Sequence, residues 1–250
     1  MMNQIINHNF KGKIWNTTFS ADYCVLEIRD ESTRQVNFSC VNLLTGNVLW
    51  ENLIPEKSWW LSLVEISDEY LFLHKYSSNQ KPEPEGLLVI NIITSETILK
   101  LENVIFYRYQ QNFLTVSDLQ SNLKSIKLGP SRKSNDSVEG ILKIFAEKIN
   151  HYPEDSSHFP TIYKFLYRLL NIDAVKAVDY LEISNKIIIS YYIYRDKSFL
   201  NYLLVTNRSR QILLNDQIAE TEGIGIDTFT VKSDTLLYVK NQTQFIGYKL

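Results

Sequence analysis

Histidines, cysteines and carboxylates are the side chains here that could carry chemistry, and their spacing argues against most of it. His151 and His158 flank Glu154-Asp155 in one polar stretch. That pattern matches no familiar metal-ligand spacing, so an exposed loop is expected and no metal. A nucleophile needs a base beside it, but there is no G-x-S-x-G elbow, and Cys24 and Cys40 lie in apolar segments. No P-loop or G-x-G-x-x-G occurs; Gly223-Ile224-Gly225 lacks the third glycine and is expected to ease entry into a strand. Glu27, Glu65, Asp118 and Asp179 could be brought together by a fold for acid/base work. Nothing in their spacing does so, and the catalytic residues stay unknown.

The elements that must position these residues are strands. The 250 residues are 44% hydrophobic and 22% charged, the balance of a soluble chain with a full core. With 15 Tyr, 12 Phe and abundant β-branched residues the composition leans towards sheet. Lys and Arg total 26 against 28 Asp and Glu, for a net charge of −2, so no global field attracts nucleic acid or an anionic membrane. The opening MMNQIINHNF has no basic region followed by an apolar run, and no stretch is long enough to span a membrane. Met1 is read as near the natural start and the cytoplasm as the default compartment.

Tyr23–Trp50 sets the pattern: strand, polar turn, strand, tight Leu44-Thr45-Gly46-Asn47 turn, strand. A turn centred on Ser32 places Ile28 opposite Val36, Leu26 opposite Phe38, and Cys24 opposite Cys40 on one apolar face. Two reduced, inert core thiols are expected there rather than a disulfide. Preceded by Ile14–Phe19, this makes a four-stranded repeat. The second repeat has strands at Trp60–Ile66, Tyr70–Tyr76, Leu87–Ile92 and Thr97–Leu101, with the loop SSNQKPEPEG between its middle strands. The TGN and TSE turns stand about 49 residues apart, inside the roughly 40–50 residues of a propeller blade. A third repeat at Val104–Tyr109, Phe113–Ser117 and Leu123–Leu128 shows no fourth strand.

The period then changes. Asp136-x-x-Glu139 reads as a capping box, with Val138, Ile141, Leu142, Phe145 and Ile149 on one helical face. After the loop HYPEDSSHFP, a second helix aligns Ile162, Phe165, Leu166 and Leu169. Residues 136–178 are therefore expected to be a helical insertion that packs on its own domain. Strands return at Val178–Ile183, Ile187–Tyr194, Leu200–Thr206 and Gln211–Leu214, then at Thr228–Val231, Leu236–Lys240 and Gln244–Leu250. The expected fold is a single all-β domain, a β-propeller of about five blades of four-stranded antiparallel units, closed by the N-terminal segment. Two separate β-sandwiches would also accommodate these strands.

Asn42 to Trp50 resembles the outer-strand signature of quinoprotein- and WD-type propellers, in which an acidic residue, a Thr-Gly turn and a Trp four residues after the Gly recur. Asn42 takes the acidic position, and Thr45-Gly46 and Trp50 fit. The copy from Asn91 to Lys100 has Ser95 and no Trp. The resemblance extends to uncharacterised single-domain bacterial propeller families and implies a fold without an activity. The vicinal cysteines of quinone-binding members are absent, so no cofactor is carried over.

In such a fold the second strands end on the same face as the linkers between blades. That face would gather Arg29, Asp30, His74, Tyr76, Arg195 and Lys240, with Trp59 and Trp60 from the linker before the second repeat. Both signs of charge and several aromatics around one mouth suit an interface. The expectation is a non-catalytic module binding a protein partner or a small polar ligand there, with no nucleic acid and no membrane. The alternative is a hydrolase or lyase with acid/base residues, such as a carboxylate and His74, in the central channel.

Overall fold

The computed structural model describes residues 2–77, 83–129 and 147–250. These form two compact units by contact, Lys11–Lys143, and Ile144–Leu250 with Met1–Phe10. Both are built of antiparallel sheets. The first strand, β1 (Asn3–Asn9), pairs with the last strand of the chain.

In the Lys11–Lys143 unit the sheets follow chain order. The first holds β2 (Lys13–Phe19), β3 (Tyr23–Asp30), β4 (Gln35–Asn42) and β5 (Val48–Leu53). The second holds β6 (Leu61–Ile66), β7 (Tyr70–Lys75), β8 (Gly86–Asn91) and β9 (Thr97–Glu102). The third has β10 (Val104–Gln110), β11 (Phe113–Asp118) and β12 (Leu123–Lys127), with no fourth strand among the described residues.

The middle strands β3, β4, β7 and β8 are buried on both faces, β7 and β8 as nearly continuous apolar runs and β3 and β4 with polar residues such as Glu27, Asn37 and Ser39 among them. The edge strands β5 and β9 carry solvent-facing polar positions. One core joins β3 and β4 to β6, β7 and β8 through Val25, Phe38, Cys40, Leu61, Leu73 and Ile90. A second joins β7 and β8 to the third sheet, with the Phe72 ring tilted against Phe106 and Tyr109 at 5.0 and 5.2 Å.

The turns that punctuate these sheets repeat in detail. Asn42 Oδ1 accepts the Leu44 and Thr45 N–H groups, and Asn91 Oδ1 accepts those of Ile93 and Thr94. Gly46 at φ 75° and Ser95 at φ 58° then occupy the same left-handed position. Upstream, Ser20 Oγ accepts from Tyr23 N and Ser67 Oγ from Tyr70 N. Asn and Ser do this work because a short side-chain acceptor can replace a main-chain one within two or three residues, and Gly because it takes a positive φ without strain.

The β3–β4 register differs from the expectation by one residue. The observed partners are Cys24 with Val41, Val25 with Cys40, and Ile28 with Asn37. The loop between Asp30 and Gln35 holds four residues rather than pivoting on Ser32. Such a slip moves the two cysteines to opposite faces. Both are buried and free, and desolvation pushes the Cys40 thiol up to about 12.

The Ile144–Leu250 unit opens with β13 (Asn150–Pro153) and α1 (Phe159–Leu170). It continues with β14 (Val175–Ile183), β15 (Lys186–Arg195), β16 (Ser198–Asn207) and β17 (Ile212–Thr221), which join β13 in a five-stranded sheet. Residues 151–153, read above as the start of a loop, are therefore part of a strand. Pro153 is tolerated at the end of an edge strand, where no ladder donor is required. Helix α1 buries Phe159, Ile162 and Leu166 against Val178, Ile189 and Leu204. The helix expected from Ser137 lies outside the described residues. The last sheet runs β18 (Thr230–Lys232), β19 (Thr235–Lys240), β20 (Gln244–Lys249), with β1 on its far side, so the two chain ends share a sheet.

Candidate functional site

The first strands of the three sheets in the Lys11–Lys143 unit each carry a β-bulge near the same point. In β2 the register shifts between Ile14 and Asn16, in β6 between Leu63 and Glu65, and in β10 between Phe106 and Arg108. A bulge leaves one residue outside the ladder and re-aims the backbone around it. The residues so displaced include Trp15, 65% exposed, and Tyr107. The main-chain donors beside two of the bulges bond to the neighbouring sheet instead.

At the first joint the acceptor is Glu27 of β3, whose side chain is fully buried. Its Oε2 accepts Leu63 N–H at 2.8 Å and the Ser62 hydroxyl at 3.3 Å. Its Oε1 accepts Arg29 Nε–H at 2.7 Å. The same guanidinium donates to the carbonyls of Trp59 at 3.1 Å and Leu61 at 2.9 Å. It also lies 5.5 Å from the Trp15 ring centroid and 4.8 Å from that of Trp59. The result is a cation packed against two indoles, its N–H groups bonded to protein acceptors and the Trp15 ring left largely exposed. Arg suits this place because its planar fork can hydrogen-bond in the plane while stacking on rings.

At the second joint the acceptor is His74 of β7. Its Nε2 accepts Phe106 N–H at 2.8 Å, and burial pushes its pKa down to about 4. A neutral imidazole is what this bond requires, since a protonated ring has no acceptor. The Tyr76 ring sits edge-on to His74 at 6.1 Å. Burial raises its hydroxyl pKa, with the charge of Glu27 adding to the effect.

Of the residues singled out in the sequence, Arg29, Trp59, Trp60, His74 and Tyr76 thus fall at these two joints; Trp60 joins through its carbonyl, which accepts Tyr76 N–H. Asp30 holds the β3–β4 turn by accepting from Ser32 and Thr33, and the Ser32 hydroxyl leads in lowering its pKa. Arg195, exposed at the β15–β16 turn, and Lys240, paired with Asp216, belong to the other unit. Trp15 is the residue that sequence reading missed. Strand alternation gave it no distinction, because its exposure comes from the bulge. Its one legible signal was a large aromatic beside Ile14, a core position.

The candidate acid/base residues are mostly engaged. Glu27 is tied to Arg29 and Leu63, and Asp118 accepts from Gln120 and Asn122 in its own turn. Asp179 accepts from Thr228 through Oδ2, and its Oδ1 lies 2.6 Å from His151 Nδ1. His158 packs on Tyr152 at 4.8 Å. Among the described residues no three His, Cys, Asp or Glu side chains cluster as a metal site, and no helix is long and apolar enough to cross a membrane.

Comparison with known proteins adds a partial match. A family model described as a domain of unknown function (DUF4905) matches residues 19–99. That stretch contains Glu27, Arg29, Trp59 and His74 but stops short of Trp15. No curated protein matches the chain. A solved structure titled "Crystal structure of the eukaryotic initiation factor" is similar at a TM-score of 0.29 and 10% identity. The alignment covers 96% of this chain and 52% of that one, so the chain spans about half its length. The chain is therefore an all-β protein of antiparallel sheets that carries, over residues 19–99, the signature of a domain of unknown function.

Proposed function

We propose that the chain is a cytoplasmic, propeller-like and non-catalytic interaction module, which binds a protein partner over the aromatic surface of Trp15, Trp59, Trp60 and Tyr76. One observation carries this reading: Trp15 is 65% exposed, yet its ring is anchored by a guanidinium that is itself locked in place. Exposing indole to water forfeits burial worth roughly 2–3 kcal/mol. Rigid Trp and Arg are the residues that most often anchor interfaces, because they bury large area at little cost in side-chain freedom. The N–H groups of Arg29 are directed at protein acceptors, so recognition runs through the ring faces. A protein surface fits this arrangement better than a small polar ligand, which would need free donors.

The test is a photo-crosslinking amino acid at position 15, followed by purification of the captured protein and measurement of its affinity. Trp15→Ala is expected to weaken that affinity by at least about tenfold, a typical loss at an interface anchor. The melting temperature should stay within about 2 °C. Capture of a free small ligand, or unchanged affinity in the variant, would overturn the reading.

A second reading, a hydrolase or lyase, draws on His151 and Asp179. A buried carboxylate 2.6 Å from a partly exposed imidazole is how a general base is oriented. It predicts that His151→Gln abolishes a hydrolytic activity found by substrate screening while leaving the fold intact.

A further inference from the structure

We propose that helix α1 and the β16–β17 turn form a binding site for a small phosphate monoester carried on an apolar, planar body. A cleft of about 290 Å³ is lined by Thr161, Lys164, Phe165, Arg168, Leu169 and Arg210. Positions 161, 164, 165, 168 and 169 fall on one flank of α1, following the helical period of 3.6. The adjacent stripe, Phe159, Ile162 and Leu166, is buried in the sheet, which fixes the rotation of the helix and turns that flank towards the cleft.

Arg210 arrives on a stapled turn. Its own N–H bonds to the Asn207 carbonyl at 2.9 Å, and Gln211 N–H bonds to Asn207 Oδ1 at 2.9 Å. The Asn207 amide donates to Gln211 Oε1 at 3.1 Å, and Arg210 itself holds φ 64°. The turn is therefore set before any ligand arrives.

Three cations meet here, and no carboxylate among the described residues lines the cleft or pairs with them. Arg208, two residues earlier, has its partner in Glu182 at 3.9 Å. A like-charged pair at i and i+4, such as Lys164 and Arg168, costs a helix a few tenths of a kcal/mol. Arg168 gains from the helix C-terminus. That gain does not account for Lys164, a turn further back, or for Arg210, on another element. An anion in the cleft would engage all three.

Two guanidinium forks match the oxygens of a dianionic phosphate better than a single carboxylate, with Lys164 as a point charge and the Thr161 hydroxyl as a further donor. Phe165 and Leu169 add half-buried apolar surface, which gives a ring something to lie against. The volume is at the small end of ligand sites, suited to a phenyl-sized body.

The test is calorimetric titration of the full chain with phenyl phosphate, inorganic phosphate and a phosphotyrosine peptide at one ionic strength. Phenyl phosphate is expected to bind saturably and about tenfold more tightly than inorganic phosphate, the gain coming from the apolar surface. The double variant Arg168→Gln, Arg210→Gln should weaken it by about tenfold or more, as charge-assisted bonds are lost. Its melting temperature should fall by no more than about 2 °C, both side chains being exposed and only the Arg168 contact with the helix C-terminus being lost. Tighter binding of the peptide than of phenyl phosphate would assign a protein-borne monoester, and equal or weaker binding a free one. Absence of saturable binding, equal affinity for inorganic phosphate, or full affinity in the double variant would overturn the proposal.

Discussion

Glu27 and His74 stand at matched places in successive sheets, each four residues after the tyrosine, Tyr23 or Tyr70, that follows a serine-capped turn. Each accepts a main-chain N–H, from Leu63 or Phe106, beside the bulge in the first strand of the next sheet. One joint uses a buried carboxylate and therefore needs Arg29 to neutralise it. The other uses a neutral imidazole and stands without a counter-charge. The lesson is that a bulge creates a fixed demand, one orphan donor to be satisfied, and the acceptor's chemistry decides what else must be brought in. Glu27 brought in a cation, and with it Trp15 and Trp59, two of the four aromatic residues of the proposed binding surface. His74 brought in an aromatic neighbour and a dependence on pH.

The sharpest way to break this comparison is to remove the cation. Arg29→Ala leaves Glu27 buried and unpaired and is expected to cost about 3–5 kcal/mol of stability, read by urea denaturation. A loss below about 1 kcal/mol would mean that water replaces the guanidinium and that the first joint is not built on charge.

The second joint predicts a pH effect that comes from keeping a buried group neutral rather than charged. The folded pKa of His74, about 4, lies below the unfolded value of 6.5, so the unfolded chain binds more protons between them. Stability is then full above about pH 6.5 and falls as the pH drops towards 4, by on the order of 3 kcal/mol. His74→Gln keeps an acceptor and cannot titrate; its melting temperature should be flatter across that range than that of the parent.

The smallest effect concerns the outer turns of the same two sheets. Ser95 holds φ 58° where the first sheet has Gly46. Relieving this strain by Ser95→Gly should stabilise by about 0.5–1 kcal/mol, the steric gain exceeding the extra entropy of glycine. Gly46→Ser should lose a similar amount, and equal stability of all three proteins would show that the two turns are not equivalent.

These three measurements separate what was legible from what was not. The turns were legible because their bonds are local: Asn42 and Asn91 reach donors two and three residues on, and Ser20 and Ser67 reach the tyrosine three residues on. The strands between them were legible from alternation and from runs such as Leu71–Leu73. The face on which each cysteine lies was not, because one residue more in the β3–β4 loop reverses it. Nor was the role of Trp50, whose Nε1–H donates to the Ile92 carbonyl at 2.6 Å and ties the signature turn of one sheet to that of the next. The resemblance supplied the residue, and only the neighbouring sheet supplied its partner.

By itself, the sequence determined that this chain is made of short antiparallel strands punctuated by Asn- and Ser-held turns, since hydrogen bonds within three residues and the two-residue period of a pleat are set along the chain. Tertiary structure decided the rest: which residue bulges, that Trp15 faces water, that Glu27 must recruit Arg29, and that three cations of α1 and the β16–β17 turn meet in one cleft. Each of those depends on a donor, a ring or a charge arriving from another element, and such arrivals leave no period in the sequence.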